Sequence, residues 1–557
     1  MPLVISYSNA NNFDGYYFGD QIGFQAQMGE RYVSYYNTGN FSNPESELGF
    51  TLRQFSQYAE DQIYTDETDY WQIELNDGDD SWCWLTCKIL DPIRDMWVNF
   101  TPRLVVNGGN GDDTIGGGSS DDTVSGGAGS DVYLESFGND LYYVSDAGDS
   151  IIVSDSNIHD WYGGAVAGGN DTVSSSVDFV LPSFIEHLIL SGAADLNGHG
   201  NETSNTITGN SGSNILDGGL GVDTLFGGLG DDVYVIDSTA DQVVEKFGEG
   251  LDIIETGVSY TLSAFVEQGF LASAGRNQSL TGNTLGNLLV GNSGMNTLSG
   301  LAGKDELRGE GGTDSLYGGI GIDTLDGGSG ADHMVGGANN DIYYVDNGLD
   351  VVIELIDGGY DTVFTSTAIA LPDNVEKLVF NGLADGTMLA GNDLANFLVG
   401  NYTDDIIDVG AGSDSAAGGS GDDTLLGGSG NDTLLGEFGI DSIVGGLGRD
   451  ILIGGVGADL FVFVAVTDSE GANRDLIKGF EDGLDRIDLR QIDANALPGD
   501  QAFTLIGNAV FSAAGQVRVT TTALATRIEV SIDADPDAEM LILLNGVHSL
   551  TDANFIL

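Results

Sequence analysis

A repeat of nine residues runs through most of this 557-residue chain. Its general form is Gly-Gly-x-Gly-x-Asp-x-apolar-x, and residues 108–116, Gly-Gly-Asn-Gly-Asp-Asp-Thr-Ile-Gly, form its first clear copy. A fixed short period is typical of a solenoid, in which each repeat adds one segment to a coil that stacks on its neighbours. The repeat therefore predicts a solenoid built from four tracts, at residues 108–143, 200–235, 282–344 and 391–458.

The sixth position of the repeat is an aspartate in nearly every copy. Its lead-in copies carry asparagine there instead, at Asn205, Asn214, Asn287, Asn296 and Asn396. A neutral amide supplies less charge to a bound cation, so we expect these copies to bind one weakly or not at all. The candidate metal-binding residues are Asp113, Asp122, Asp131, Asp140, Asp223, Asp232, Asp305, Asp314, Asp323, Asp332, Asp341, Asp405, Asp414, Asp423, Asp432, Asp441, Asp450 and Asp459.

The residue types of the repeat explain why it suits calcium. Glycine permits the positive φ angles of a tight turn and leaves backbone carbonyl oxygens uncovered. The aspartate adds a carboxylate to the same turn. The apolar residue two places later, such as Ile115, Leu425 or Leu434, is predicted to point inward from a short strand. Flexible sites made only of oxygen atoms suit Ca²⁺ better than Mg²⁺ or a transition metal. The sequence therefore predicts several bound calcium ions.

The charge of the chain excludes two classes of partner. Lys and Arg number 17 against 86 Asp and Glu, which gives a formal net charge of −69. Such a surface repels nucleic acid and anionic membranes. Apolar residues make up 41% of the chain, too many for a plain acidic disordered protein. We therefore expect that the solenoid is largely unfolded by self-repulsion without calcium and folds when calcium binds.

Longer spacer units separate the tracts and also resemble one another. Asp140 to Val144 matches Asp232 to Ile236 and Asp341 to Val345. These segments are rich in β-branched and aromatic residues and predict short strands, so we expect an all-β fold. The spacer glutamates recur within the repeats, which indicates a structural role for Glu186, Glu267 and Glu376.

The nonapeptide resembles the RTX (hemolysin-type) calcium-binding repeat. This resemblance implies a parallel β-roll with two nonapeptides in each coil and calcium between turns on the same edge. Ion-binding aspartates are then two units apart, and the resemblance implies on the order of ten sites. The implied partners are Asp113 with Asp131, Asp305 with Asp323, Asp314 with Asp332, Asp423 with Asp441, Asp432 with Asp450, and Asp441 with Asp459.

Residues 459–557 resemble the C-terminal domain of serralysin-type peptidases. In that family the region caps the β-roll and carries an uncleaved type I secretion signal, which fits the acidic-then-apolar end from Asp552 to Leu557. The first residues, Met1 to Ser6, lack the basic start of a secretory signal peptide. No apolar run approaches the roughly 18 residues of a membrane-spanning helix. The resemblance implies a secreted, extracellular protein whose partner is the type I secretion machinery.

Catalytic motifs are not found in the sequence. None of the five histidines, His159, His187, His199, His333 and His548, is followed by Glu, so a His-Glu-x-x-His zinc helix is excluded. The Gly-x-Ser-x-Gly motif of serine hydrolases does not occur. We therefore expect no enzyme activity, and a cryptic hydrolase is kept as one alternative.

Residues 1–103 are predicted to form a separate aromatic-rich domain of unknown function. This segment faintly resembles secreted haem-binding hemophores, in which a tyrosine and usually a histidine hold the iron. Tyr70 is the nearest candidate, and no histidine precedes His159. The alternative is that the tryptophans form a core, or a patch that binds carbohydrate or protein. They are Trp71, Trp82, Trp84 and Trp97.

The two cysteines leave two interpretations open. Cys83 and Cys87 either form a local disulfide or remain two small buried side chains. A zinc site there is disfavoured because no other cysteine or nearby histidine exists.

These observations predict an all-β protein with three regions. Residues 1–103 form the N-terminal domain, residues 104–458 a parallel β-roll with β-strand spacers, and residues 459–557 a β-rich C-terminal cap. The predicted function is calcium-driven folding outside the cell after type I export, in a structural or adhesive role with a cell-surface or matrix ligand. The alternatives are a hemophore-like ligand binder carried on the roll and a cryptic hydrolase.

Overall fold

The computed structural model describes both backbone and side chains over most of the chain after residue 104. The described ranges are 105–116, 120–134, 138–152, 168–272, 276–494, 501–533 and 535–557. Before them it describes the backbone of the strands Leu3–Ile5, Phe13–Phe18, Gln21–Met28, Arg31–Asn37, Phe50–Phe55, Tyr70–Leu75, Leu85–Asp91 and Met96–Phe100, and of the first residues of Arg103–Asn110. The chain falls into two compact units, Met1–Gln268 and Gly269–Leu557.

The first unit begins with antiparallel strands. Phe13–Phe18, Gln21–Met28, Arg31–Asn37, Leu85–Asp91 and Met96–Phe100 form a five-stranded sheet. Outside this sheet, Tyr70–Leu75 pairs in parallel with Arg103–Asn110, the first strand of the solenoid. The predicted domain boundary at residue 103 therefore coincides with the start of a strand that both regions share.

Several predictions fall on residues whose side chains are not described. They concern the pairing of Cys83 and Cys87, a haem ligand at Tyr70, and the packing of the four tryptophans Trp71, Trp82, Trp84 and Trp97. These stay predictions.

Parallel strands make up the rest of the first unit and alternate between two ladders. One ladder contains Arg103–Asn110, Thr123–Ala128, Leu141–Val144, Thr172–Ser175, His187–Leu190, Thr206–Thr208, Thr224–Phe226 and Gln242–Val244. The facing strands are Thr114–Gly116, Val132–Leu134 and Ser150–Ile152, followed by Phe179–Val180, Asn197–Asn201, Ile215–Gly219, Val233–Ile236 and Ile253–Thr256. The unit closes with Tyr260–Thr261 and the start of Gln268–Leu271.

The pairing register shows how the repeat builds the coil. Thr123 lies opposite Val105 on one side and Leu141 on the other, so residues 18 positions apart in sequence are neighbours in space. One coil therefore contains two nonapeptides, each supplying one short strand and one turn. The predicted parallel β-roll with two repeats per coil is confirmed.

The second unit repeats this arrangement. One ladder contains Leu288–Val290, Glu306–Arg308, Thr324–Asp326, Ile342–Val345, Thr362–Thr365, Lys377–Phe380, Phe397–Val399, Ser415–Ser420, Thr433–Phe438, Ile451–Val456 and Leu476–Lys478. The facing strands are Ser279–Thr281, Thr297–Ala302, Ser315–Ile320, His333–Ala338 and Val351–Ile353, then Ile369–Ala370, Thr387–Ala390, Asp405–Asp408, Thr424–Leu426, Ser442–Val444, Leu460–Val462, Arg486–Asp488 and Phe555–Ile556. Short bridges along the edges join Gly311–Gly312 with Ser329–Gly330, and Ala411–Gly412, Ser429–Gly430 and Leu447–Gly448.

The core is a column of apolar side chains from position eight of the repeat. A fully buried run in the second unit is formed by Leu280, Leu289, Leu298, Leu307, Leu316 and Leu325. Each of these residues follows the position-six residue by two places, so its side chain points inward as predicted. Truncating such a leucine to alanine typically costs about 2–5 kcal/mol, because the removed methyl groups leave a cavity in a packed stack.

The C-terminal residues close the open end of the second unit. Gln516–Thr521, Ala525–Ser531 and Met540–Asn545 form an antiparallel meander, and Thr504–Leu505 pairs beside it. Met540–Asn545 pairs with Leu476–Lys478, and Phe555–Ile556 pairs with Arg486–Asp488, so both ladders of the last coil gain a partner. Covering these edges removes a template for aggregation.

Helical structure is minimal in the described part of the chain. Two short 3-10 turns, Val466–Ser469 and Asp552–Asn554, are its only helical segments, which agrees with the predicted all-β class. Within the same residues, no helix has both the length and the apolar character needed to cross a membrane.

Candidate metal centres

The position-six aspartates stack into rows along the edges of the coil. In one row the backbone N–H of Asp405 donates to Oδ1 of Asp423 (2.8 Å), that of Asp423 donates to Asp441 (2.9 Å), and that of Asp441 donates to Asp459 (3.1 Å). The same bond joins Asp113 to Asp131 in the first unit (2.9 Å). Each Oδ1 therefore serves as a structural acceptor that ties one coil to the next.

The same bond occurs in every pair that the repeat predicts to share an ion. The remaining pairs are Asp305 with Asp323, Asp314 with Asp332, and Asp432 with Asp450, with distances of 2.7–2.9 Å. The structure therefore places each predicted pair in adjacent coils on one edge. Calcium binding at each individual pair stays a prediction.

The second carboxylate oxygen of these aspartates has a different environment. In most of the row Oδ2 is buried and has no hydrogen-bond donor, namely in Asp131, Asp223, Asp232, Asp305, Asp314, Asp323, Asp332, Asp341, Asp414, Asp423, Asp432, Asp441, Asp450 and Asp459. A buried carboxylate oxygen without a donor is costly unless a cation or a proton compensates it. Native structures contain few such atoms, so a regular row of them indicates a row of ligand sites.

The first glycine of the repeat provides the space for a ligand. A Cβ atom added to Gly436 would lie 2.5 Å from the carbonyl oxygen of Gly454 and would overlap Oδ2 of Asp441. Gly436 does not have a positive φ, so its backbone conformation would accept any residue. Glycine is needed here because a side chain would fill the space where a carboxylate oxygen and a carbonyl oxygen converge.

The other two glycines of the repeat differ from the first in backbone conformation. Gly428, at position two, has a φ of 80°, and Gly430, at position four, has a φ of 144°. L-residues rarely adopt such angles. These glycines also stack closely, because an added Cβ on Gly430 would overlap the carbonyl oxygen of Gly412 in the preceding coil. Glycine therefore serves space at all three positions and favours the turn conformation at positions two and four. Leu301, Glu310 and Glu437 adopt the positive φ of position two in other copies.

Burial raises the pKa of many aspartates in these rows. It raises the pKa of Asp314, Asp423 and Asp432 to about 7 and that of Asp223 and Asp305 to about 6, and neighbouring carboxylates add to the shift. A bound cation favours the charged carboxylate and reverses this effect. Carboxylate and carbonyl oxygens are the donors that Ca²⁺ prefers, so these residues fit the ion that the sequence predicts.

In the asparagine turns, hydrogen bonds within the protein satisfy the polar atoms of the position-six side chain without an ion. Oδ1 of Asn396 accepts the N–H of Asn392 (2.8 Å), while its Nδ2 donates to Oδ1 of Asn392 (3.0 Å) and to the carbonyl oxygen of Val375 (3.3 Å). The amide therefore uses both its polar atoms within the protein. This arrangement gives a physical reason for the expectation that asparagine turns bind cations weakly.

Two candidate aspartates differ from the rest. Oδ2 of Asp405 accepts the N–H of Asn401 (3.0 Å) and its Oδ1 accepts the hydroxyl of Thr403 (3.2 Å). Oδ2 of Asp140 accepts the hydroxyl of Tyr142 (3.2 Å). Both candidates therefore have internal donors, unlike the aspartates whose Oδ2 is buried without one.

The structure adds ligand-row residues that the repeat period does not reveal. In the spacers, Asp171 accepts the backbone N–H of Asp140, Asp252 that of Asp232, and Asp361 that of Asp341. In the C-terminal region, Asp475 accepts that of Asp450 and Asp485 that of Asp459, and all five distances are 2.7–3.0 Å. Their separations of 20 to 31 residues break the period of 18. The only sequence signal for these additional row residues was the recurrence of an aspartate followed by an apolar strand in each spacer.

The rows in the first three spacers end on glutamates. Oε2 of Glu186 accepts the N–H of Asp171 (2.8 Å), and Glu267 and Glu376 do the same for Asp252 (3.0 Å) and Asp361 (2.8 Å). These contacts give the recurring spacer glutamates the structural role that their recurrence indicates.

Known protein families account for most of these features. The RTX calcium-binding nonapeptide repeat matches in four copies, at residues 105–133, 199–234, 290–325 and 317–352. The family described as Peptidase M10 serralysin C terminal matches residues 378–557. The chain is an RTX-repeat protein with a serralysin-type C-terminal domain. Its repeats bind calcium, and the matching families include none for a peptidase catalytic domain.

Comparison with solved structures finds local likenesses, among them two epimerase subunits and a lipase. The AlgE6R2 subunit of the Azotobacter vinelandii mannuronan C5-epimerase is 28% identical, with a TM-score of 0.20, covering 30% of this chain and 90% of that one. The AlgE6R3 subunit is 28% identical, with a TM-score of 0.17, covering 28% and 78%. The extracellular lipase LipA from Serratia marcescens is 14% identical, with a TM-score of 0.18, covering 56% and 45%.

At such low TM-scores these likenesses are local and establish no activity for this chain. No curated relative matches it significantly. The family matches together point to a secreted calcium-binding RTX protein.

Proposed function

We propose that this RTX protein leaves the cell through a type I exporter and folds outside it on binding calcium. The observation that carries the proposal is the regular row of buried, unpartnered Oδ2 atoms facing a glycine-lined space. Without a cation, each of these buried oxygens destabilises the folded state, because it has lost water and gained no donor. With a bound cation, the same oxygen becomes a ligand.

The energy available from calcium is large enough to act as a folding switch. Calcium modules outside cells have dissociation constants of about 10⁻⁴ to 10⁻³ M. At ten times that concentration one site adds about 1.4 kcal/mol to the stability of the folded state. Ten such sites add about 14 kcal/mol, which is comparable to the whole stability of a typical domain.

Far-ultraviolet circular dichroism of the full chain tests this proposal directly. We expect β-structure to increase cooperatively as calcium is added to chelator-treated protein, and the same concentration of magnesium to have little effect. Full β-structure in chelator, unchanged by calcium, would contradict calcium-driven folding.

The C-terminal strand supports a link between export and capping. Phe555–Ile556 pairs with Arg486–Asp488, so the predicted secretion signal becomes part of the cap once the roll folds. Removing residues 552–557 should abolish export by a serralysin-type exporter. Export at the parent level would refute the assignment of the signal to these residues.

The role that we infer outside the cell is structural or adhesive rather than enzymatic. Its support is the sequence, in which no histidine begins a His-Glu-x-x-His motif and no Gly-x-Ser-x-Gly motif occurs. Binding of the calcium-loaded full chain to intact producer cells and to isolated extracellular matrix tests this role. Calcium-dependent retention is expected, and no retention on either surface would contradict it.

A further inference from the structure

Two spacers bring a third carboxylate to the end of an aspartate row. Asp232, Glu245 and Asp252 form one cluster, and each offers an oxygen within 4.8 Å of the others. The second unit repeats the arrangement with Asp341, Glu354 and Asp361. In each cluster both aspartates belong to the stacked row, whereas the glutamate directly follows a spacer strand, Gln242–Val244 or Val351–Ile353. These two sets are called the tricarboxylate clusters below.

All six side chains of the tricarboxylate clusters are buried. Their exposed fractions range from 0% to 7%. Among the described residues, no ion pair involves any of the six carboxylates. The nearest basic residue in sequence, Lys246, is exposed and pairs with Glu249 (3.1 Å) instead. Each cluster therefore concentrates three acidic groups in a small volume with no basic partner of its own.

In each cluster oxygen atoms converge on the first glycine of a repeat, where the hydroxyl of Tyr234 or Tyr343 also lies. Oδ2 of Asp232, Asp341 and Asp361 is buried without a donor. A Cβ atom added to Gly227 would lie 2.6 Å from Oε1 of Glu245 and would overlap Oδ2 of Asp232. A Cβ atom added to Gly336 would likewise lie 2.6 Å from Oε1 of Glu354 and would overlap Oδ2 of Asp341. Neither glycine has a positive φ, so glycine is needed at both positions because a side chain would not fit, not because of the backbone conformation.

A tyrosine orients the glutamate in each cluster. The hydroxyl of Tyr234 donates to Oε1 of Glu245, and that of Tyr343 donates to Oε1 of Glu354. The other glutamate oxygen accepts a backbone N–H, from Lys246 (3.3 Å) or from Leu355 (3.0 Å). The carboxylate is thus held in a fixed direction beside the orphaned aspartate oxygen, as a pre-organised ligand is.

The first spacer supplies an internal comparison. Tyr142 occupies the position of Tyr234, but the residue 11 places later is Val153 where the other two spacers have glutamate. With no glutamate there, the Tyr142 hydroxyl donates to Oδ2 of Asp140 instead (3.2 Å). Where the third carboxylate is missing, the tyrosine hydroxyl therefore donates to Oδ2 of the aspartate. Where the glutamate is present, the hydroxyl donates to the glutamate and leaves the aspartate Oδ2 without this donor.

We propose that the two tricarboxylate clusters are calcium sites of higher affinity than the nonapeptide sites, each with a ligand outside the repeat motif. Three carboxylates on one ion give more ligand charge than the two of a nonapeptide pair, and charge count tunes calcium affinity. These sites fill first and fix the last coil of the second and third tracts to its spacer. The inference rests on the proposed function, because the coils that carry the clusters fold on calcium.

Equilibrium dialysis of the full chain tests the inference. The variant Glu245→Gln/Glu354→Gln removes one charge from each cluster and keeps an acceptor for each tyrosine. The control is Glu202→Gln/Glu470→Gln, which changes one exposed glutamate in each unit that belongs to neither cluster. At low free calcium we expect the first variant to lose one tightly bound ion per cluster, while the control binds as the parent does.

The outcomes separate this inference from the proposed function. Unchanged tight binding in Glu245→Gln/Glu354→Gln overturns the tricarboxylate sites and leaves calcium-driven folding intact. A parent chain that neither binds calcium nor gains β-structure overturns the proposed function itself.

A second measurement applies if the glutamine variant does not fold. Tyrosine rings next to a bound Tb³⁺ ion sensitise its luminescence. The variant Tyr234→Phe/Tyr343→Phe should lose a larger share of this emission than Tyr317→Phe/Tyr344→Phe, whose rings are exposed. Equal losses in the two variants overturn the tricarboxylate sites.

Discussion

The aspartate turns of residues 418–459 and the asparagine turns of residues 200–217, 282–299 and 391–399 share the hydrogen bond of position six but differ in turn conformation and in how they neutralise their polar groups. Gly428, at position two of an aspartate turn, has a positive φ, whereas Asn392 at the same position of an asparagine turn does not. In both, the position-six N–H donates to Oδ1 of the aspartate in the next coil, as Asn396 does to Asp414 and Asp414 to Asp432. In both, a Cβ on the first glycine would overlap or crowd the position-six side chain. The two kinds of turn are therefore alternative solutions to one geometric problem.

The difference lies in what satisfies the position-six oxygen. The backbone N–H of Asn392, at position two, donates to Oδ1 of Asn396. Its side-chain Nδ2 donates to the carbonyl oxygens of Pro372 (2.7 Å) and Val375 (2.8 Å). Most aspartate turns have glycine at position two, and Leu301, Glu310 or Glu437 replaces it in three others. None of these residues donates to Oδ2 of the position-six aspartate, which stays buried without a donor. The comparison teaches that this solenoid contains turns that carry their own donors and turns that leave a buried oxygen without one.

Removing calcium should separate the two kinds of turn most strongly. In chelator, backbone amides of residues 418–459 should exchange hydrogen orders of magnitude faster than in calcium, since several sites of about 1.4 kcal/mol each are lost together. Amides in the asparagine turns should lose less protection. Hydrogen exchange with mass spectrometry measures both at once, and equal loss in the two regions would break the comparison.

Converting one asparagine turn to aspartate should have the next largest effect. Asn396→Asp removes the Nδ2 donor from Asn392 and Val375 and buries a charge beside the side chain of Asn392. We expect a loss of about 3 kcal/mol in the free energy of unfolding. Chemical denaturation in calcium measures it.

A matched variant sharpens that test. Asn392→Gly/Asn396→Asp rebuilds the glycine at position two, and it should regain stability as calcium rises where Asn396→Asp alone does not. No difference in calcium response between the two variants would show that position two does not distinguish the turns.

Filling the space at the first glycine should cost less. Gly436→Ala places a methyl group against Oδ2 of Asp441 and the Gly454 carbonyl oxygen, and overpacking of this kind costs about 1–3 kcal/mol. The variant should also need more calcium to fold. Gly257→Ala is the control, because a Cβ there meets no atom within 4 Å. Similar calcium midpoints for the two variants would contradict the assigned role of Gly436.

Acid should act only on the aspartate turns and only partly replace calcium. Burial raises the pKa of Asp432 to about 7 and that of Asp441 to about 6, from 3.8 in the unfolded chain. The folded state therefore binds protons more tightly. In chelator its stability is greatest below about pH 4 and falls as the pH rises through 6 to 7. Circular dichroism against pH in chelator should show β-structure decreasing over that window, and the opposite trend would contradict the shifts.

Much of this architecture follows from the sequence. The nine-residue period predicted a solenoid, and the resemblance to the RTX repeat implied two nonapeptides per coil and the pairing of aspartates 18 residues apart. The position-eight leucines predicted the core column. Glycine, aspartate and asparagine at fixed positions were enough to predict calcium and to distinguish strong from weak turns.

The spacers show where sequence alone stops. Asp171, Asp252 and Asp361 join the aspartate rows across separations that differ from 18, and Glu245 and Glu354 reach the same edge from another strand. Loops of different length hide such neighbours in the sequence, since only the closed coil brings their oxygens together. Likewise, the sequence showed that glycine is common at three positions of the repeat. The tertiary structure decided that the first glycine lacks a positive φ and serves space alone, whereas Gly428 and Gly430 combine a positive φ with a close approach to the neighbouring coil, because that approach exists only between stacked coils.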